Sequence, residues 1–281
     1  MQINSDFSFN TVIWISSILP PEDQGPSSRM IDEMNSIKNR LDFNFETVKV
    51  SSVAELECIF VDIAHRAEKK ELHPILNFDM HGNKELGLLI RDNEYFSWQS
   101  LVDHLRPINT ATENNLCIVS VACFSYNVIK SIKTLNYPSP FFIMLAPENK
   151  VYNGFIEQKL PAFYENLFQF DNLSDAYKNH LFEQFHYFHC ERILLLAIAR
   201  YIIEGCKGQS KKKRQEKLLS ELFLQGIEKT KKNLKTVRQG IKKGILPNQC
   251  LLDHYTKTFL INKPCGFKID QLLAYINEYK S

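Results

Sequence analysis

Two residues able to do chemistry together end two separate apolar runs. His81-Gly82 follows HPILNFDM (73–80), and Cys123 ends NLCIVSVAC (115–123). A free thiol is mostly protonated at neutral pH and is then a poor nucleophile. A neighbouring imidazole can take its proton or pair with the thiolate, and the resulting imidazolium can protonate a leaving amine. Such chemistry also needs donors aimed at the developing oxyanion. A glycine beside the histidine lets a substrate carbonyl approach the backbone N–H. His81, Cys123 and Gly82 therefore offer base, nucleophile and oxyanion donor, the donors being the N–H groups of Gly82 and Cys123. Asp79 stands two residues before His81 and shares its strand face, where it could orient the imidazole or line a substrate pocket.

The elements that would position these groups alternate. TVIWISSI (11–18), FETVKVSS (45–52), HPILNFDM (73–80), NLCIVSVAC (115–123) and PFFIMLAP (140–147) read as strands. RMIDEMNSIKNRL (29–41) and SVAELECIFVDIAHRAEKK (52–70) have helical spacing, with Ser52 as the cap of the second. ELGLLIRDNEYFSW (85–98) reads as a hairpin turning at Asp92-Asn93. Ser97 should cap a helix that Pro107 ends, and SYNVIKSIKTL should form another. Strands separated by helices imply a mostly parallel sheet with helices on both faces, whose sites form beyond the C-terminal strand ends. His81 and Cys123 hold such positions. After about residue 152 the pattern becomes helical, with KGQSKKKRQEK (207–217) as an exposed linker or processing loop.

These residues resemble the caspase-like cysteine peptidases, closest to their bacterial CHAT branch. Strand–His–Gly followed by strand–Ala–Cys is similar to that family's catalytic dyad. GLLIRDNEYFSWQSLVDHL is similar to its small hairpin and following helix. LAPENKVYNGFIEQKLPAFYENL is similar to the CHAT segment carrying an FY-x-x-L pattern, here Phe163-Tyr164-Glu165-Asn166-Leu167. The resemblance runs over roughly residues 10–170. It implies an α/β/α sandwich with a mostly parallel central sheet, which places a peptidase core over 1–172, while the residue pattern itself makes 173–281 a helical region with a basic segment. It further implies peptide-bond cleavage by His81 and Cys123, and an effector role in bacterial defence or cell death switched on by a partner or small signal. Two departures stand out. Phe124 and Ser125 follow the cysteine where relatives often carry a glycine. Val121 occupies the position, two before the cysteine, where many relatives place an Asp or Gln that shapes the substrate pocket.

The remaining features bound the reading. The chain has 281 residues, 44% hydrophobic and 23% charged, enough for a sizeable core. No secretory signal or membrane span is expected, because the longest apolar run, ILLLAIA (193–199), is short and flanked by Arg192 and Arg200. A cytoplasmic protein with no membrane partner follows. Seven widely spaced cysteines without a CxxC pair argue against a disulfide framework or zinc ribbon. HLFEQFHYFHCE (180–191) puts His186, His189 and Cys190 at helical spacing, but an aromatic, partly buried helix explains it better than a metal. No metal or cofactor is expected. Between 207 and 243, thirteen basic residues stand against three acidic ones, so this segment carries +10 and the rest of the chain −8 of a total +2. A solvated basic face is the ordinary cause, and an anionic ligand or partner is the sharper one. The alternatives to a peptidase acting on protein substrates are thus an inactive scaffold of the same fold, or a nucleic-acid- or nucleotide-binding protein.

Overall fold

The computed structural model describes residues 6–18, 25–41, 43–91, 94–206 and 208–278. The chain divides into two compact units, one spanning Asn4–Cys190 with Thr258–Lys263, the other holding Glu191–Lys257 and Pro264–Ser281.

The first unit is a mixed α/β structure. Strands β1 (Thr11–Ser17), β2 (Asn44–Lys49), β3 (Pro74–Met80), β7 (Cys117–Ser120), β8 (Ile143–Ala146) and β9 (His186–His189) form a six-stranded sheet in the order β2-β1-β3-β7-β8-β9. All pairs are parallel except β8–β9. β1 and β3 are buried along their whole length, as strands covered on both faces must be. Helix α1 (Pro26–Leu41) carries the chain outward from β1 to β2, and α2 (Val53–Glu68) carries it back across to β3. Right-handed crossovers in opposite directions put these helices on opposite faces. Accordingly α4 (Asn153–Phe170) packs on α1, while α3 (Trp98–Ala111) packs on α2. The arrangement is compatible with an α/β/α sandwich.

Local signals account for most boundaries. The Ser52 and Ser97 side chains accept from Glu55 N–H (3.2 Å) and Ser100 N–H (3.0 Å), capping α2 and α3 as expected. β4 (Gly82–Asn83), β5 (Gly87–Arg91) and β6 (Glu94–Phe96) make a small antiparallel sheet. The turn expected at Asp92-Asn93 lies outside the described residues.

Four expectations need correction. Pro107 does not end α3, which continues to Ala111. The extra turn carries Asn109, whose Nδ2 donates to Asn114 Oδ1 (2.9 Å) and Ser139 O (2.8 Å), and whose Oδ1 accepts from Leu116 N–H (3.1 Å). That buried amide sets the start of β7 and outweighs the one backbone bond proline removes. SYNVIKSIKTL forms only a short 3₁₀ helix, Ser125–Ser131. HYFH (186–189) is a strand rather than part of a helix, since pairing with β8 completes the sheet edge. Finally, most of the segment read as a linker lies in helix α7 (Gly208–Leu224).

The second unit is helical. α7 packs on α8 (Lys231–Gly244) around Cys206, Leu219, Ile241 and Ile245. Among the described residues no helix is long and apolar enough to cross a membrane.

Candidate active site

β1 leads outward to β2, whereas β3 is followed by β7 and β8 on its other side. The sheet order therefore reverses between β1 and β3, and crevices open at such a point beyond the C-terminal strand ends. A cavity of about 200 Å³ lies there, lined by Ile18 after β1, Asp79 and His81 of the β3 end, and Val121 and Cys123 of the β7 end. The structure thus brings together all the residues the sequence singled out except Gly82, which sits just behind them.

Gly82 shows why. A Cβ built on it would lie 1.9 Å from the Cys123 carbonyl oxygen and 3.1 Å from the Cys123 nitrogen. No side chain fits, so the glycine is required by main-chain contact with the cysteine. The strand following His81 is consequently pressed against the residue that carries the thiol. Leu89 N–H donates to His81 O (2.9 Å), which makes Gly82 and Leu88 a non-hydrogen-bonded pair of the β4–β5 ladder. In that register the Gly82 N–H is turned away from β5. The chain leaves the sheet just before Cys123. Val121 N–H still donates to Phe78 O (3.0 Å), whereas the Cys123 N–H has no backbone acceptor among the described residues. Both expected oxyanion donors are thus left out of the backbone ladders. His81 is exposed and Cys123 partly so.

The turn after the cysteine forms without glycine. Phe124 takes a left-handed conformation, φ 63°, which costs a non-glycine residue about 1–2 kcal/mol. Its neighbours hold it there. Phe124 N–H donates to Asn149 O (3.2 Å) and Tyr126 N–H to Pro147 O (3.0 Å), both in the loop after β8. Asn127 donates to Phe124 O from its main chain (2.9 Å) and from Nδ2 (2.8 Å). Neither the strain nor Asn149 was visible in the sequence, because the partner lies on a separate loop.

Asp79 is buried and lines the cavity. Its Oδ2 accepts from Trp14 Nε1 (3.0 Å) and Ser27 Oγ (2.5 Å). Burial pushes its carboxyl above the ordinary carboxylate range, opposed by Ser27 and Trp14 and, more weakly, by the nearby His81 charge. Trp14 and Ser27 were missed in the sequence reading. A fully buried tryptophan in a central strand needs an acceptor for its N–H, and that requirement was the available signal.

The residues of HLFEQFHYFHCE do not converge. His186 approaches Glu148 (3.3 Å) and the Tyr126 ring, while His189 is buried with its ring 4.5 Å from that of Phe142. Cys190 is buried near the Asn114 amide (3.5 Å). The strand's alternation separates side chains that a helix would have grouped.

The chain matches no protein-family model and no curated protein.

Two outcomes follow from this geometry. Gly82→Ala should lower stability by about 3 kcal/mol in chemical denaturation, because the backbone it meets cannot move aside cheaply. Unchanged stability would contradict the close approach. Asp79 binds its proton more tightly folded than unfolded, so its contribution to stability is intact below the unfolded value of about 3.9 and falls as pH rises toward its folded value. Comparing denaturation of wild type and Asp79→Asn across pH should therefore show this downward component only in the wild type.

Proposed function

We propose that this chain is a cysteine endopeptidase of caspase-like fold, with Cys123 as nucleophile and His81 as general base and acid. The observation that carries the reading is the close main-chain approach of Gly82 to Cys123 at a crevice that His81 also lines. The Cys123 thiol gives its proton to the imidazole, and the thiolate attacks the peptide carbonyl carbon to form a C–S bond. The carbonyl oxygen becomes an oxyanion within reach of the Gly82 and Cys123 N–H groups. The His81 imidazolium then protonates the amine as the C–N bond breaks. A water, deprotonated by His81, cleaves the thioester and restores the thiol. Regulation by a partner or small signal, and a role in bacterial defence, belong to the same proposal through the family resemblance alone.

A peptide bearing an electrophilic ketone should label the full chain at Cys123. Cys123→Ala should abolish labelling, and His81→Ala should slow it by about 10²- to 10⁴-fold. Labelling at the other cysteines alone, or at an unchanged rate in His81→Ala, would reject the dyad.

One observation favours a second reading for the helical unit. Lys231, Lys235, Arg238 and Lys242 follow one another on a single face of α8, where they border a shallow groove. This stripe suits the phosphates of a nucleic acid. If it binds duplex DNA, log affinity should fall against log salt with a slope of about −3 to −4, and replacing these four residues with Gln should flatten it. Absence of salt-sensitive binding to DNA would discard this reading.

A further inference from the structure

The two peptide planes that follow Cys123 are both held. In the first, between Cys123 and Phe124, the carbonyl oxygen lies against Gly82 and the N–H donates to Asn149 O (3.2 Å). These two groups point opposite ways in a planar trans peptide, so the plane is gripped from both sides. In the second, between Phe124 and Ser125, the N–H donates to Ala122 O (3.2 Å). Its carbonyl, Phe124 O, accepts from Asn127 N–H (2.9 Å) and from Asn127 Nδ2 (2.8 Å). Phe124 joins the two planes at a φ of 63°, which its side chain makes costly. It also stands just before the 3₁₀ helix Ser125–Ser131, where an extended residue is usual. Relaxing Phe124 to an ordinary φ would turn one plane against the other, and the first of them belongs to the nucleophile. Most bonds that oppose this relaxation run from main chain to main chain and do not depend on residue type. The bond from Asn127 Nδ2 does. Asn127 is buried, and Lys130 Nζ donates to its Oδ1 (2.7 Å). Lysine offers donors only, so it takes the amide oxygen and leaves Nδ2 aimed at Phe124 O.

We propose that Asn127 is a positioning residue for Cys123: its amide, aimed by Lys130, holds Phe124 in the left-handed turn and so keeps the thiol in place for attack. The proposal rests on the peptidase reading of the same site. It accounts for a nucleophile turn built without glycine. A glycine at 124 would take this conformation unaided. The need for the Asn127 side chain is therefore created by Phe124 and disappears with it.

The test uses the full-length chain and one electrophilic peptidyl ketone. The rate of Cys123 labelling at saturating ketone is read separately from the half-saturating concentration. Asn127→Asp keeps the shape and the Lys130 partner but lacks the donor. It and Asn127→Ala should each lower the saturating rate about 10-fold, with the half-saturating concentration little changed. In a Phe124→Gly background the same substitutions should change the rate by less than about 2-fold. Lys130 is exposed, so Lys130→Met serves if the Asn127 variants fail to fold. It should slow labelling about 3-fold beside Phe124 and have no effect beside Gly at that position. Saturating rates equal to wild type in the Asn127 variants, or in Lys130→Met where those do not fold, overturn the positioning role and leave the peptidase intact. Equal slowing in both backgrounds overturns it as well, because such a loss does not pass through the turn. Failure of the wild type to label at Cys123 overturns the peptidase and the positioning role with it. Hydrogen exchange at Phe124 N–H, referenced to β3 amides, then reads the turn without any ketone. Exchange about 10-fold faster in Asn127→Ala supports the hold of Asn127 on the turn, and unchanged exchange overturns that too.

Discussion

The contact between the Gly82 α-carbon and the Cys123 main chain governs the rest of the site. It is a contact between backbones, so it cannot be adjusted by choosing another rotamer. It forces the residue after His81 to lie against the residue bearing the thiol, whatever the side chains do. The surrounding elements serve that approach. β3 and β7 are hydrogen-bonded neighbours in register, which delivers their two exits to the same level. The β4–β5 pairing then holds Gly82 from the far side. The buried Asn109 amide, bonded to Leu116 N–H, fixes where β7 begins and hence where it ends.

Around this contact the chain departs from what local stability prefers. Phe124 adopts a backbone conformation that glycine would hold more cheaply, and Asp79 is a carboxylate in the interior. Each departure is supported from a distant segment: the loop after β8 for Phe124, and β1 with the start of α1 for Asp79. Such violations with long-range support tend to gather at functional sites, where the fold fixes an arrangement that the local sequence would not choose. Tyr164 belongs to the same pattern. Its hydroxyl donates to Asn77 Oδ1 (3.0 Å) in the interior of β3, tying α4 to the strand that carries Asp79 and leads to His81.

What the sequence made legible depended on the range of the signal. β1, β3 and the capping serines at 52 and 97 were readable because a short apolar run or an oxygen three residues from an N–H is a local fact. The His81 and Cys123 positions were readable because strand ends are local too. The edge strand β9 was not. HYFH has no strong alternation of its own, and it becomes a strand because β8 offers it a free edge. α3 likewise passes Pro107 for the sake of bonds made by Asn109 to residues that fold elsewhere. The lysine-rich start of α7 looked like a loop because its composition is polar, yet leucines further along pack into a helical cluster and carry it into a helix.

The pair Asp79 and Val121 shows how a site can be misjudged when it is read along one strand. Taken by itself, a valine two residues before the cysteine argues for a pocket without charge. Across the ladder, the residue beside Val121 is Asp79, and both line the same cavity. Neighbouring strands lie only about 4.8 Å apart. A carboxylate can therefore be carried by either strand and still present its charge to the same space. What differs is its support: on β3 it lies next to β1, where Trp14 Nε1 can reach it. The polarity of such a crevice is thus a property of a row across the sheet, and a row becomes readable only when the register between its strands is known.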